Sequence, residues 1–167
     1  PEITQINRVE KRLIGQLQSN KIKKAIRLFD TIDSVDSIRL AEKISKAAAT
    51  IKKTQRVLIQ VNTSEEKTKG GFKSSDIEEM LLCFKHNKIK IDGLMTIGPT
   101  KRDHNKIKRA FKSLKELFTK INRRLPQDKK MTEISMGMSG DFELGVESGS
   151  TMVRVGTAIF GKRETVA

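Results

Sequence analysis

Six short apolar runs, each set apart from the next by a stretch with helical spacing, constrain this chain more than any other feature. RVLIQVN (56–62) and KIDGLMTIG (90–98) are short, apolar and β-branched, as buried strands are. TEISMGM (132–138), TMVRVG (151–156), DTIDSV (30–35) and the briefer RLIG (12–15) read the same way. Between them, Ile107, Phe111, Leu114, Phe118 and Ile121 recur at helical spacing, and Ile38, Ala41, Ile44 and Ile51 mark the apolar face of another amphipathic helix. SSDIEEMLLCFKH carries Ile77, Leu81 and Phe84 on one face, with Ser74 or Ser75 placed to cap it. KIKKAIRLF (21–29) and FELGVES (142–148) supply two further helices. Such alternation implies an α/β fold with a parallel sheet and right-handed crossovers. No Pro/Gly/Ser-rich linker interrupts it, so residues 1–167 are expected to form one domain.

Parallel sheets of this kind are either open and doubly wound or closed into a barrel. The open dinucleotide-binding form wants G-x-G-x-x-G after its first strand, and no such motif lies near the N-terminus. The Gly-rich loops follow the last two strands instead, where many (β/α)8 barrels hold phosphate. The pattern therefore favours a barrel with a phosphate pocket at its C-terminal end.

Charge raises a different partner. Thirty-four Lys and Arg face 20 Asp and Glu, a net charge of +14. The basic runs are scattered, at 21–24, 52–56, 101–109 and 123–130, and the chain has no Trp or Tyr to stack on bases. Lys-rich solvated faces account for the charge better than a nucleic-acid site does. No apolar run is long enough to span a bilayer and no signal-peptide pattern opens the chain. Cys83 is the only cysteine and can form no internal disulfide, so a cytoplasmic location is expected.

Several site motifs fail on inspection. GTAIFGK has the G-x-x-x-x-G-K spacing of a phosphate loop in Gly156, Gly161 and Lys162, but Arg163 stands where a Ser or Thr must hold magnesium. GMSGD (137–141) approaches a nucleophile elbow, yet its second Gly is misplaced and no His follows it. Cys83 and His86 could share a helix face, but no second pair completes a zinc site. Asp33/Asp36 and Asp141/Glu143 carry no signal alone, and His104 has no evident partner. What survives is a constellation: Ser135, Gly137, Ser139 and Gly140 at the exit of one strand, Gly156 and Thr157 at the exit of the next. Glycine amides approach phosphate closely, hydroxyls add donors, and a helix start adds a favourable dipole. Arg154 lies between Val153 and Val155, so its side chain should point opposite to theirs. Spacing alone leaves two readings open, a ligand contact or a buried ion pair.

The segment SMGMSGDFELGVESGSTMVRVGTAIFGKR resembles the C-terminal signature of the pyridoxal phosphate homeostasis proteins, single-domain relatives of the alanine racemase barrel. LIGQLQSNK, DTIDSVDS, VLIQVNTSEEKTKGG and GLMTIG match further family blocks in order, over nearly the whole chain. The resemblance implies a (β/α)8 barrel that binds pyridoxal 5′-phosphate (PLP) and serves intracellular vitamin B6 homeostasis as a carrier rather than a catalyst. It implies cofactor contacts at Ser135, Met136, Ser139, Arg154, Gly156 and Thr157, with Arg154 facing the pyridine nitrogen. A guanidinium stays protonated and can only donate, which keeps that nitrogen unprotonated and the ring a weak electron sink.

Departures from the family matter as much. The lysine-bearing first strand and the Gly-Glu-Asn block are absent, and the family's Trp-His-Phe-Ile-Gly reads Lys11, Arg12, Leu13, Ile14, Gly15. The expectation is thus an incomplete barrel, with strands 3–8 present, the first two β/α units missing, and open edges that invite self-association. Pro1 follows either a removed Met or a cut within a longer chain. Lys69, after the QVN strand, is a candidate second lysine able to form an imine with an aldehyde; the plainer reading is a solvated loop lysine. The implied partners are PLP and PLP-dependent client enzymes, with no membrane. A racemase-like enzyme is the alternative, but it needs an acid–base pair and the chain has no Tyr. A basic nucleic-acid-binding module is the other.

Overall fold

The computed structural model describes residues 9–66, 68–100 and 103–161. Its sheet contains β1 (Arg12–Leu13), β2 (Thr31–Val35), β3 (Gln55–Asn62), β5 (Ile89–Met95), β6 (Glu133–Met138) and β7 (Met152–Arg154), hydrogen-bonded in that order and all parallel. A two-residue strand, β4 (Phe72–Lys73), pairs with the end of β3. Each main strand lies beside its predecessor in the chain. A doubly wound sheet would reverse direction at a switch point; this one winds one way, as a half-barrel with helices on its outside.

The helices are α1 (Ile22–Leu28), α2 (Ile38–Thr50), α3 (Ile77–Cys83), α4 (His104–Arg124), α5 (Phe142–Glu147) and α6 (Thr157–Phe160). Alternation along the strands divides the interior. Val57, Ile59 and Val61 of β3, Leu94 of β5 and Ile134 of β6 point outward and pack with Ala41, Ile44, Met80, Phe111 and Leu114 of the helices. Gly93 lets β5 and β6 approach closely there, since a Cβ would sit 1.9 Å from the Glu133 carbonyl oxygen.

All six expected strands are present, although RLIG contributes only Arg12 and Leu13. β4 escapes the sequence reading because two residues carry no period. Other local expectations need correction. The residue preceding α3 is Asp76, not Ser74 or Ser75, and its carboxylate accepts from the Lys73 amide at 3.0 Å. The buried face of α3 is Met80 and Cys83, with Ile77, Leu81 and Phe84 packed at its margin. Ile51 lies just past the end of α2 and is exposed, because the helix stops before its last apolar repeat. His86 is half-buried rather than on the surface, and its Nε2 has no partner among the described residues. Burial pushes the Cys83 thiol up to about 12, so it stays protonated as core.

Candidate functional site

The inward-pointing residues form a charged floor and a polar rim. On the floor, Arg12 grips Asp33 with Nε and Nη2 (each 3.0 Å to one carboxylate oxygen) and reaches Glu133 at 2.8 Å. Arg56 takes the other Glu133 oxygen at 2.9 Å and Asp92 at 2.5 Å, and Glu10 accepts from both arginines at 3.0 Å. The Asp33 side chain is wholly buried. That burial raises its pKa, only partly offset by hydrogen bonding and attraction from Arg12.

Above this floor opens a cleft of about 1120 Å³ at the C-terminal ends of the strands. Arg154 lies in it, and its neighbours Val153 and Val155 line the same cleft. One Nη donates to Ser135 Oγ at 2.6 Å and the other to the Thr96 carbonyl at 2.7 Å. Neither partner is a carboxylate, so Arg154 is not the buried ion pair that spacing allowed. Burial lowers its pKa; Asp33 and Asp141 counter this through their fields. A guanidinium starts so high that it remains charged. It is therefore a fixed, partly desolvated cation whose remaining N–H groups have no partner among the described residues.

Ser139 and Gly156 meet at the other wall. The Ser139 hydroxyl oxygen accepts from the amides of Gly156 (3.0 Å) and Ala158 (3.3 Å), taking the place an anionic oxygen would take at the start of α6. A Cβ built on Gly156 would meet nothing within 4 Å, which leaves room for a phosphate group. Gly137 holds φ at +97° and lets the chain turn into α5, where a Cβ would come within 3.0 Å of Phe142 Cα. Thr157 begins α6 and its hydroxyl has no partner among the described residues. These donors suit a phosphate, and Arg154 suits a neutral ring nitrogen. PLP therefore fits the residues present.

Two residues stand apart. Ser135 is fully buried beneath Arg154 and does not line the cleft. Met136 points into the outer core, and its backbone N–H and carbonyl both engage Ser150 Oγ. Lys69 does line the cleft, but it is no solvated loop lysine: it pairs with Glu66 at 2.8 Å and donates to the Gly98 carbonyl. Glu66 also accepts from the Thr100 amide (3.0 Å) and hydroxyl (2.8 Å). These bonds hold its carboxyl down at about 2, with Lys69 the largest cause and Thr100 next. The loops after β3 and β5 are thus clamped together. Asn62 braces the first of them by donating to the carbonyls of Glu66 and Lys69. Sequence reasoning missed Thr96, Glu66 and Asn62; only the position of Asn62 at the end of an apolar strand could have marked it. Lys162 and Arg163 lie outside the described residues. Among the described residues no cluster of His, Cys, Asp or Glu could hold a metal, and no helix is long and apolar enough to cross a membrane.

Comparison with known proteins identifies the family. Residues 6–164 match the family model described as alanine racemase, N-terminal domain. A pyridoxal phosphate homeostasis protein of Aquifex aeolicus is 37% identical over 157 residues, covering 93% of this chain and 68% of the relative. A solved structure of an unknown protein from Bifidobacterium adolescentis is 46% identical with a TM-score of 0.85, covering 89% of this chain and 60% of that one. PipY of Synechococcus elongatus, solved with PLP bound, is 33% identical with a TM-score of 0.84, covering 95% of this chain and 74% of its own. The chain thus spans roughly two thirds of such relatives, and it belongs to the alanine racemase N-terminal domain family, within the group of pyridoxal phosphate homeostasis proteins.

Proposed function

We propose that this chain binds PLP in the cleft and acts in intracellular PLP homeostasis as a carrier or buffer, with no reaction of its own. The observation that supports this most is Arg154, a desolvated cation held by a hydroxyl and a carbonyl instead of a carboxylate. Charge placed that way is available to a ligand. When bound, PLP supplies an aldehyde and an electron-withdrawing ring. Facing the ring nitrogen, Arg154 donates and cannot give up a proton, so the ring is kept from its strongest electron-withdrawing form.

In this reading Ser139, the amides of Gly156 and Ala158, and the Thr157 hydroxyl receive the phosphate. Ser135 positions Arg154 from below, and Met136 contributes packing alone. Lys69 offers an amine on the cleft wall, but only after leaving Glu66 and the Gly98 carbonyl. Residues 1–167 act as one domain, and its six main strands correspond to strands 3–8 of a (β/α)8 barrel. The cytoplasm is its place of work.

Titration with PLP, followed by visible absorbance and by intact mass after borohydride reduction, tests the proposal. Saturable binding is expected, and Arg154→Ala should weaken it about tenfold or more while the protein stays folded. Wild-type affinity in that variant would remove the role of Arg154. No saturable binding by the folded chain would remove the function. A trapped adduct that disappears in Lys69→Arg would identify Lys69 as the reacting amine.

A further inference from the structure

In the sequence the basic runs are scattered; folding brings two regions of them together. α1 and α2 lie side by side on the outside of the half-barrel, and Lys43 of α2 reaches Ser19, just before α1, at 3.0 Å. Lys23, Lys24 and Arg27 project from one helix, Arg39, Lys43 and Lys46 from the other. The two helices contain a single acid, Glu42, which is taken by Lys46 at 2.5 Å. Lys23, Lys24, Arg27 and Arg39 have no hydrogen-bond or ion-pair partner among the described residues. Acids nearby are spent elsewhere: Asp33 inside the barrel, Asp30 on the Lys11 amide, Asp36 on the Ser37 hydroxyl.

The like charges are also stacked. Lys23 and Arg27, and Arg39 and Lys43, sit four residues apart on their helices, where they repel and work against folding. α4 provides the contrast. Its basic residues are partly answered, Lys108 by Glu147 at 3.4 Å and Arg124 by Glu78, and Glu116 interrupts its exposed stripe. α3, with Glu78 and Glu79, separates the two basic regions.

We infer that the α1–α2 face is a docking surface for the phosphate backbone of double-stranded nucleic acid, bound without regard to sequence. The face is about 20 Å long, since α2 has 13 residues rising roughly 1.5 Å each. Along that length a duplex presents one charge per ~1.7 Å. A membrane surface suits this face less well: interfacial helices turn their apolar side to lipid, and here those sides (Ile22, Ala25 and Ile26; Leu40, Ala41 and Ile44) are buried in the core. Single strands suit it less well too, because the face has no aromatic side chain to stack on a base.

The test is fluorescence anisotropy with a labelled 20-base-pair duplex of arbitrary sequence, from 50 to 200 mM salt. The wild type should bind with a steep salt dependence. The triple variant Lys23→Gln, Lys24→Gln, Arg27→Gln should flatten the slope of log K against log salt by about 2.7 and weaken binding about tenfold or more at the lowest salt. Lys112→Gln, Lys120→Gln, Arg123→Gln removes the same charge from α4 and should cost less than half as much. Arg39→Gln, Lys43→Gln, on the other helix, should flatten the slope by about 1.8, and PLP binding should be unchanged in all three. No duplex binding by the wild type at 50 mM salt would overturn the inference. Equal losses in the α1 and α4 variants would overturn it as well, by reducing the effect to net charge. Tighter capture by phosphatidylserine vesicles than by duplex would replace nucleic acid with a membrane.

Discussion

The two faces of this sheet are made by the same strands and held by opposite physics. Outward, β3 presents Val57, Ile59 and Val61 to the helices; inward, it presents Arg56, Leu58, Gln60 and Asn62. The outer face needs side chains of about the right size and nothing more specific. The inner face needs particular partners, because a buried guanidinium or carboxylate is stable only when answered. One face can therefore drift in sequence while its volume is kept. The other must change in concert or not at all.

The largest effects should come from breaking either face. Phe111→Ala, at a fully buried outer position, should cost about 3–5 kcal/mol in urea unfolding. Arg12→Met strands the Asp33 carboxylate and should cost a similar ~3–5 kcal/mol. What separates the two is pH. Because the folded pKa of Asp33 is raised by burial, the native state takes up that proton before the unfolded chain does. Its contribution to stability therefore grows as pH falls through the folded value. The Arg12→Met deficit should shrink as pH falls, while the Phe111→Ala deficit should stay level. Parallel pH profiles for the two variants would erase the distinction between the faces.

A smaller effect sharpens the comparison at the rim. Ser135→Ala leaves an Arg154 N–H unanswered and should cost about 1–3 kcal/mol of stability. It should weaken PLP binding less than Arg154→Ala does, since the cation remains. Equal losses would make Ser135 a direct ligand. Smallest is the titration of Glu66, observable by NMR at its side-chain carboxyl, with a midpoint expected at about 2. A depressed folded pKa gives stability above the unfolded value, lost as pH falls through the folded one. The clamp between the two loops should thus persist from neutral pH well into the acid range and release only as pH falls through about 2. A midpoint near 4.5 would mean that Lys69 and Thr100 do not hold Glu66 in solution.

The outer face was legible in the sequence because periodicity encodes it directly. Ile107, Phe111, Leu114 and Ile121 recur on one side of α4, and all four are buried. Arg154 was legible for the opposite reason, as a charge that breaks an apolar run. The floor was not legible: Arg12 lies 21 residues from Asp33 and 121 from Glu133, and no local pattern marks such pairs. Ser135 was legible as a polar residue at a strand exit, but its hydrogen bond to Arg154, 19 residues on, was not.

The winding of the sheet bears on how such a chain is assembled. Arg12 pairs with Thr31, Thr31 with Arg56, Gln55 with Ile89, Gly93 with Glu133 and Ser135 with Met152. Among the described residues every bond between main strands joins consecutive ones, and the longest of these steps is 40 residues. No strand has to be threaded between two already in place. Loop closure grows costly only slowly with length, so the sheet can lengthen one unit at a time in the order of synthesis. The same property makes it divisible over evolutionary time: a β/α unit gained or lost at either edge disturbs one seam and leaves every other pairing intact.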